Sequence, residues 1–205
     1  MASETKKPQL FRLSLKQLIE KRRVKPAFPE RASPDPERRL RHAKSRAHEV
    51  PTKEFENHSR SVRTSSPTGD KVTYLRQNYT NDESELACQM CEEEMPFRRR
   101  DGEYYFEAVQ LFDDLAGEHE AANLALCPLC AAKFKEFIKR DERRRKELRV
   151  QVASTNELQI GLDLGKETGN IRFVEKHLLD IQGILAGEEE QKQKQKQENR
   201  ESASS

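Results

Sequence analysis

The sequence predicts an α+β fold: a small domain stapled by four cysteines, then a short strand-and-helix unit, with a disordered basic arm before them and a disordered tail behind. Three observations carry this. All four cysteines fall in two close pairs, Cys88-Gln-Met-Cys91 and Cys127-Pro-Leu-Cys130, with 35 residues between the pairs. The apolar period from about residue 70 onward switches between the values of a helix and of a strand. Hydrophobic residues make up only 34% of the 205-residue chain against 36% charged, so apolar burial alone is thin support for a compact domain.

Residues 1–69 read as a basic, largely disordered arm and linker. They hold 17 Lys/Arg against 8 Asp/Glu, seven of the nine prolines, and one glycine, Gly69. Within the arm, Leu10, Phe11, Leu13, Leu15, Leu18 and Ile19 suit one face of a short helix near residues 9–23, ended before Pro26. A basic arm in front of a mixed-charge domain points to an anionic partner such as nucleic acid, although such arms also serve solubility alone.

Order is expected over residues 70–186. Lys71–Tyr79 reads as a short helix with Val72, Leu75 and Tyr79 on one face. After the first cysteine pair, Met95-Pro-Phe97, Arg98-Arg-Arg100 and Asp101-Gly102 lead into Tyr104–Phe112, the signature of a hairpin turn before a strand. Residues 113–126 read as a connection. From the second pair a helix is expected to run to about Lys146, burying Phe134, Phe137 and Ile138. Leu148, Val150 and Val152 alternate as in a strand, as do Leu158, Ile160, Leu162 and Leu164, and Ile171–Phe173 reads as a third short strand. Val174, His177, Leu178, Ile181 and Leu185 then fall at helical spacing. Residues 187–205, with Gln/Lys repeats, read as a disordered tail.

Two residues between cysteines let one tight turn aim both sulfurs at one ion, and four thiolates suit tetrahedral Zn²⁺. Cys88, Cys91, Cys127 and Cys130 are therefore the expected ligands of one structural zinc. A redox CxxC pair accounts for one pair but not for two. With no signal-peptide core at Met1–Pro8 and no apolar run near the ~18 residues of a membrane span, a reducing cytoplasm is the expected setting. A structural zinc contributes roughly 10 kcal/mol of folding free energy, which would offset the sparse core. Knuckle, hairpin and then helix is the order of a treble clef.

The stretch from Cys88 to about Phe137 resembles the zinc-stapled branch of the HNH (ββα-metal) endonuclease family. Phe106-Glu-Ala-Val-Gln110 stands where that family has its Glu-Ala-His-His-like strand. Asn123-Leu-Ala-Leu-Cys-Pro-Leu-Cys130 matches its later element. The departures matter for function. Val109 and Gln110 replace the family's metal ligand and general base, and an amide does not take a proton from water near neutral pH. The helix after Cys130 also lacks the family's histidine. Asn123 is read as bracing its loop, His119 as a solvated loop histidine rather than a displaced catalytic one, and His177 as a packing or capping residue. More broadly, Ser61 to Leu185 is similar to C-terminal regions of large bacterial proteins with sacsin-like ATPase modules. That resemblance implies an accessory part of a bacterial ATPase or defence system.

The resulting expectation is a non-catalytic, zinc-stabilised HNH-like module that binds nucleic acid. Arg98, Arg99 and Arg100 at the hairpin tip and Arg143, Arg144 and Arg145 on the helix would meet phosphates. The alternatives are a protein-interaction module of a larger ATPase assembly and an active metal-dependent nuclease using Glu107 or His119, with the Asp113-Asp114 pair nearby.

Overall fold

The computed structural model describes residues 27–49 and 70–202; the helix expected near residues 9–23 lies outside them. The chain is a mixture of helices and two small antiparallel sheets. In order, the elements are α1 (Pro36–Glu49), α2 (Lys71–Tyr79), β1 (Glu107–Gln110), β2 (Asn123–Leu126), α3 (Pro128–Phe134), α4 (Glu142–Ser154), β3 (Gln159–Asp163), β4 (Thr168–Arg172) and α5 (Glu175–Ser202).

Helix α2 begins where Asp70 caps it, its carboxylate accepting from Val72 N at 2.9 Å, and it buries Leu75 and Tyr79 as its spacing predicts. The Asp101-Gly102 turn is present, with Gly102 at φ 83°, and Tyr105 N donates to Phe97 O at 3.0 Å. The strand expected over Tyr104–Phe112 is shorter, only β1. Its partner is β2, paired antiparallel with Glu107 opposite Leu126 and Gln110 opposite Asn123. Residues 123–126 are thus a strand, not part of a connection, because Asn123-Leu-Ala-Leu126 is buried at every position.

After Cys130 the helix does not run unbroken to Lys146. Helix α3 passes into a π-helical turn over Lys135–Lys139, and the chain restarts as α4. Asp141 makes the break by capping the new helix, accepting from Arg143 N at 3.0 Å and Arg144 N at 3.2 Å. Leu148, Val150 and Val152 belong to α4, not to a strand. Leu148 and Val152 share the buried face four residues apart, and Val150 is 67% exposed. The ion pairs Arg143–Glu147 and Lys146–Glu142 support the same helix at i,i+4 spacing. Strand β3 falls within the alternating run Leu158–Leu164, while β4 starts earlier than the Ile171–Phe173 expected and ends before Phe173. The two pair with Ile160 opposite Ile171, both buried.

Both flanks correct the composition-based reading where they are described. Residues 36–49, expected to be linker, form α1 and pack on α5. The helix α5, expected to give way to a tail beyond Gly187, continues to Ser202. Gly183 and Gly187 explain the first correction. A Cβ on Gly183 would stand 2.6 Å from Ala43 Cβ and 2.8 Å from Leu40 O, and one on Gly187 would stand 2.8 Å from Ala47 Cβ. Alanine on one helix and glycine on the other, each four residues apart, let the two backbones meet. Arg39–Asp180, at 2.6 Å, locks the register. Glu188 anchors the extension of α5: it is buried, accepts from Ala116 N at 2.6 Å, and faces Arg149 at 3.5 Å.

The core is one cluster. It runs from Leu75 and Tyr79 through β1, β2 and Phe134 to Ile160, Ile171, Phe173 and Ile181. Among the described residues no helix is long and apolar enough to cross a membrane.

Candidate metal centre

Two separate pieces of chain bring the four cysteines together. Cys88 and Cys91 sit on a tight knuckle closed by Cys88 N to Glu93 O and Glu92 N to Cys88 O, both 2.9 Å. Glu92 takes φ 58° there, a left-handed conformation uncommon outside glycine that lets the chain double back. Cys127 caps α3, and Pro128 takes the first helical position, where no N–H is needed. That cap turns Cys130 back towards Cys127.

The ligand atoms of Cys88, Cys91, Cys127 and Cys130 all lie within 4.8 Å of one another. A tetrahedron of thiolates on an ion such as Zn²⁺ has sulfurs about 3.8 Å apart, following from a metal–sulfur bond of ~2.3 Å. The donor set and its spacing therefore fit one soft ion. Backbone amides support the sulfurs as well: Cys127 N donates to Cys88 Sγ at 3.3 Å and Cys130 N to Cys127 Sγ at 3.5 Å. The thiols are close enough to share protons. The contact with Cys130 holds Cys127 well below the ordinary thiol range, and the same contact pushes Cys130 up. A metal ion takes the place of those shared protons when it binds thiolates. All four positions of a tetrahedral ion would be filled by protein, leaving none for water.

A buried polar network ties this knuckle to the rest of the fold. Gln89, between the first two cysteines, is 0% exposed. Its Oε1 accepts from Ala125 N at 2.8 Å, and its Nε2 donates to the Tyr79 hydroxyl at 2.7 Å and to Arg172 O at 3.1 Å. The Tyr79 hydroxyl lies 2.6 Å from His177 Nδ1, and His177 Nε2 lies 2.8 Å from Ala121 O. A carbonyl only accepts, so Nε2 carries the proton, Nδ1 accepts from Tyr79, and the ring is neutral. Burial lowers the His177 pKa to about 4. One glutamine thus joins α2, β2, β4 and α5 to the cysteine knuckle. His177 is a packing residue, as its place on α5 suggested. Gln89 and Tyr79 carry no signal as a linked pair in the sequence, because their partners come from distant elements.

The residues of β1 and those that follow it are engaged in pairs and packing. Val109 is buried, and the Gln110 amide donates to Phe112 O at 2.8 Å. Glu107 pairs with Lys135, Asp113 with Lys139 at 2.6 Å, and Asp114 with Arg149 at 3.0 Å. Asn123 braces its loop, donating to His119 O at 3.0 Å and Glu120 O at 3.3 Å. His119 is buried at 8% exposure rather than solvated, since it leads into the packed turn of Glu120–Ala122. Among the described residues, the four cysteines form the sole group of three or more Cys, His, Asp or Glu side chains placed to hold a metal ion.

The chain matches no protein-family model, no curated protein and no solved structure.

The six arginines expected at phosphates fall on separate elements and in different states. On α4, Arg143 is paired with Glu147 at 2.8 Å and Arg144 with Asp163 at 2.9 Å, while Arg145 is half-buried beside Phe112 and Asp114. That helix face is charge-compensated. On the hairpin, Arg98 lies over the Tyr104 ring at 3.7 Å, Arg99 pairs with Asp101 at 3.1 Å, and Arg100 is exposed.

Proposed function

We propose that this chain is a zinc-stabilised module with a treble-clef, HNH-like centre that binds nucleic acid and does not cut it. The observation that carries the reading is the hairpin Phe97–Tyr105, which carries two exposed, stacked aromatic rings together with Arg99 and the exposed Arg100 at its turn. Charge and ring faces together are what a nucleic-acid strand offers partners for. Arg143 and Arg144 are paired within the chain and Arg145 is half-buried, whereas Arg100 on the hairpin is exposed, which favours the hairpin over α4 as the contact. Zinc is the ion of choice for four thiolates with no open position, and its role here is to fix the root of that hairpin.

The test is a gel shift and a cleavage assay with zinc-loaded protein on duplex and single-stranded substrates, with and without Mg²⁺ or Mn²⁺. The expected result is a salt-sensitive shift with intact nucleic acid. Metal-dependent cleavage would overturn the non-catalytic part, and absence of any shift at low salt would overturn the binding part.

A second reading, a docking module for a protein such as the ATPase that the sacsin-like resemblance implies, has its own observation. Leu129, between Cys127 and Cys130 in the first turn of α3, is 66% exposed. Co-purification with such an ATPase, lost in Leu129→Glu with zinc content unchanged, would favour it.

A further inference from the structure

The side-chain alternation of the hairpin sorts its aromatics onto two faces. Tyr104 is turned in, 6% exposed, with its hydroxyl on Glu94 and the Arg98 guanidinium against its ring. Phe97 and Tyr105 are turned out, 50% and 36% exposed. Their rings are stacked, with centroids 5.0 Å apart and planes 9° from parallel. A cross-strand aromatic pair steadies a hairpin, and that accounts for the contact between the rings. Both rings remain partly exposed, on the hairpin that carries Arg99 and the exposed Arg100 at its turn.

The turn holds this arrangement firmly. Arg99 N donates to Glu103 O at 2.7 Å, Gly102 N to Arg99 O at 3.0 Å, and Arg98 donates to Ser84 O at 3.1 Å. Arg76 reaches the same hairpin, pairing with Glu103 and donating to Tyr104 O at 3.1 Å. The platform is therefore braced from α2 and from the loop before the cysteine knuckle.

We propose that Phe97 and Tyr105 form a stacking platform for unpaired bases, with Arg99 and Arg100 holding the adjoining phosphates, so that the ligand is single-stranded nucleic acid. The inference rests on the nucleic-acid reading above and narrows it. Bases in a duplex are already stacked on one another and offer no free face to an exposed ring. An unpaired base adds its own ring to the pair and is bound with little regard to sequence. Salt dependence is expected from the phosphate contacts.

The experiment is fluorescence anisotropy with the full, zinc-loaded chain on labelled oligo-dT, oligo-rU and a duplex of equal length, at low and moderate salt. The single strands bind more tightly than the duplex. Phe97→Ala and Tyr105→Ala each weaken single-strand binding by about 5-fold or more, in line with stacking on one aromatic ring, and change duplex binding little. Tyr105→Phe keeps the ring and keeps the affinity. Arg100→Ala weakens both ligands and flattens the salt dependence. Zinc content and thermal melting of each variant separate lost binding from lost fold, and Phe97→Leu or Tyr105→Leu, which keeps apolar bulk but no ring face, serves where an alanine variant fails to fold. Preference for either single strand over the duplex supports the platform. If the aromatic variants bind single strands like the parent chain while Arg100→Ala does not, phosphate attraction alone is at work and the platform is refuted, with the nucleic-acid reading intact. No binding to any of the three ligands refutes both.

Discussion

Replacing Gln89 with Met tests whether the buried network holds the cysteine knuckle to the fold. Met has nearly the length and flexibility of Gln, so the packing space stays filled. What disappears is chemistry. Ala125, 0% exposed, loses the acceptor that its N–H has in Gln89 Oε1. Arg172 O loses a donor, and the Tyr79 hydroxyl keeps His177 but loses the amide. A buried polar group left without a partner costs ~1–3 kcal/mol. One stranded N–H and one weakened carbonyl, with a small return for the apolar side chain, give a loss of about 2–4 kcal/mol. That is a large share of the ~5–15 kcal/mol that holds a domain together. Urea denaturation at saturating zinc reads the loss directly, while metal titration still gives one ion per chain because all four sulfurs are retained. A Gln89→Met variant within about 0.5 kcal/mol of the parent would refute the reasoning, since the network would then be incidental to stability.

Three further outcomes follow from the same geometry. Chelation of the metal should unfold the region around the knuckle, seen as loss of circular dichroism and of chemical-shift dispersion, and restored by one equivalent of Zn²⁺; retention of structure would show that the apolar core suffices. Because the His177 pKa is about 4 in the fold and near 6.5 in an unfolded chain, the unfolded state takes up the proton first as pH falls. Stability is full above about 6.5, declines between there and about 4, and is flat below, with a loss of ~1 kcal/mol by pH 5.5. His177→Gln, compared with the parent at pH 7.5 and 5.5 in excess zinc, should lack that decline. Gly183→Ala drives a methyl into Leu40 O and Ala43, an overpacking worth ~1–3 kcal/mol. Hydrogen exchange should quicken over residues 36–49 and stay slow in β2, and uniform protection would contradict the close contact.

The parts of this protein that could be read in advance are those whose chemistry is local. Two CxxC pairs announce their own convergence, because each needs only one turn. Strand β3 and the first turns of α5 follow from period, and the turn after β3 from Gly165, which takes φ 84°. Helix α4 was misread for a definable reason: Leu148, Val150 and Val152 fit a strand at spacing two, while Leu148 and Val152 alone fit a helix at spacing four. The cap at Asp141 breaks the tie, and it stands in the sequence as an acidic residue ahead of a helix-forming run. The docking of α1 had no local sign. Its partners are two glycines on α5, and the Arg39–Asp180 bond joins residues 141 positions apart. His119 gave the wrong exposure because a Gly-Glu-His-Glu stretch looks solvated until the packed turn behind it is known.

The seam between α1 and α5 also sets an order of events during synthesis. Residues pair upward together, Arg39 with Asp180, Ala43 with Gly183 and Ala47 with Gly187, so the two helices run parallel and the rest of the fold lies between them in the chain. A helix of 14 residues is marginal by itself in water, and α1 leaves the ribosome long before the glycines that receive it. The cysteine knuckle, β1, β2 and α3 can assemble in that interval without it. Closure of the glycine seam therefore waits for α5, and any chain interrupted before Gly183 carries a basic helix without the partner it packs on.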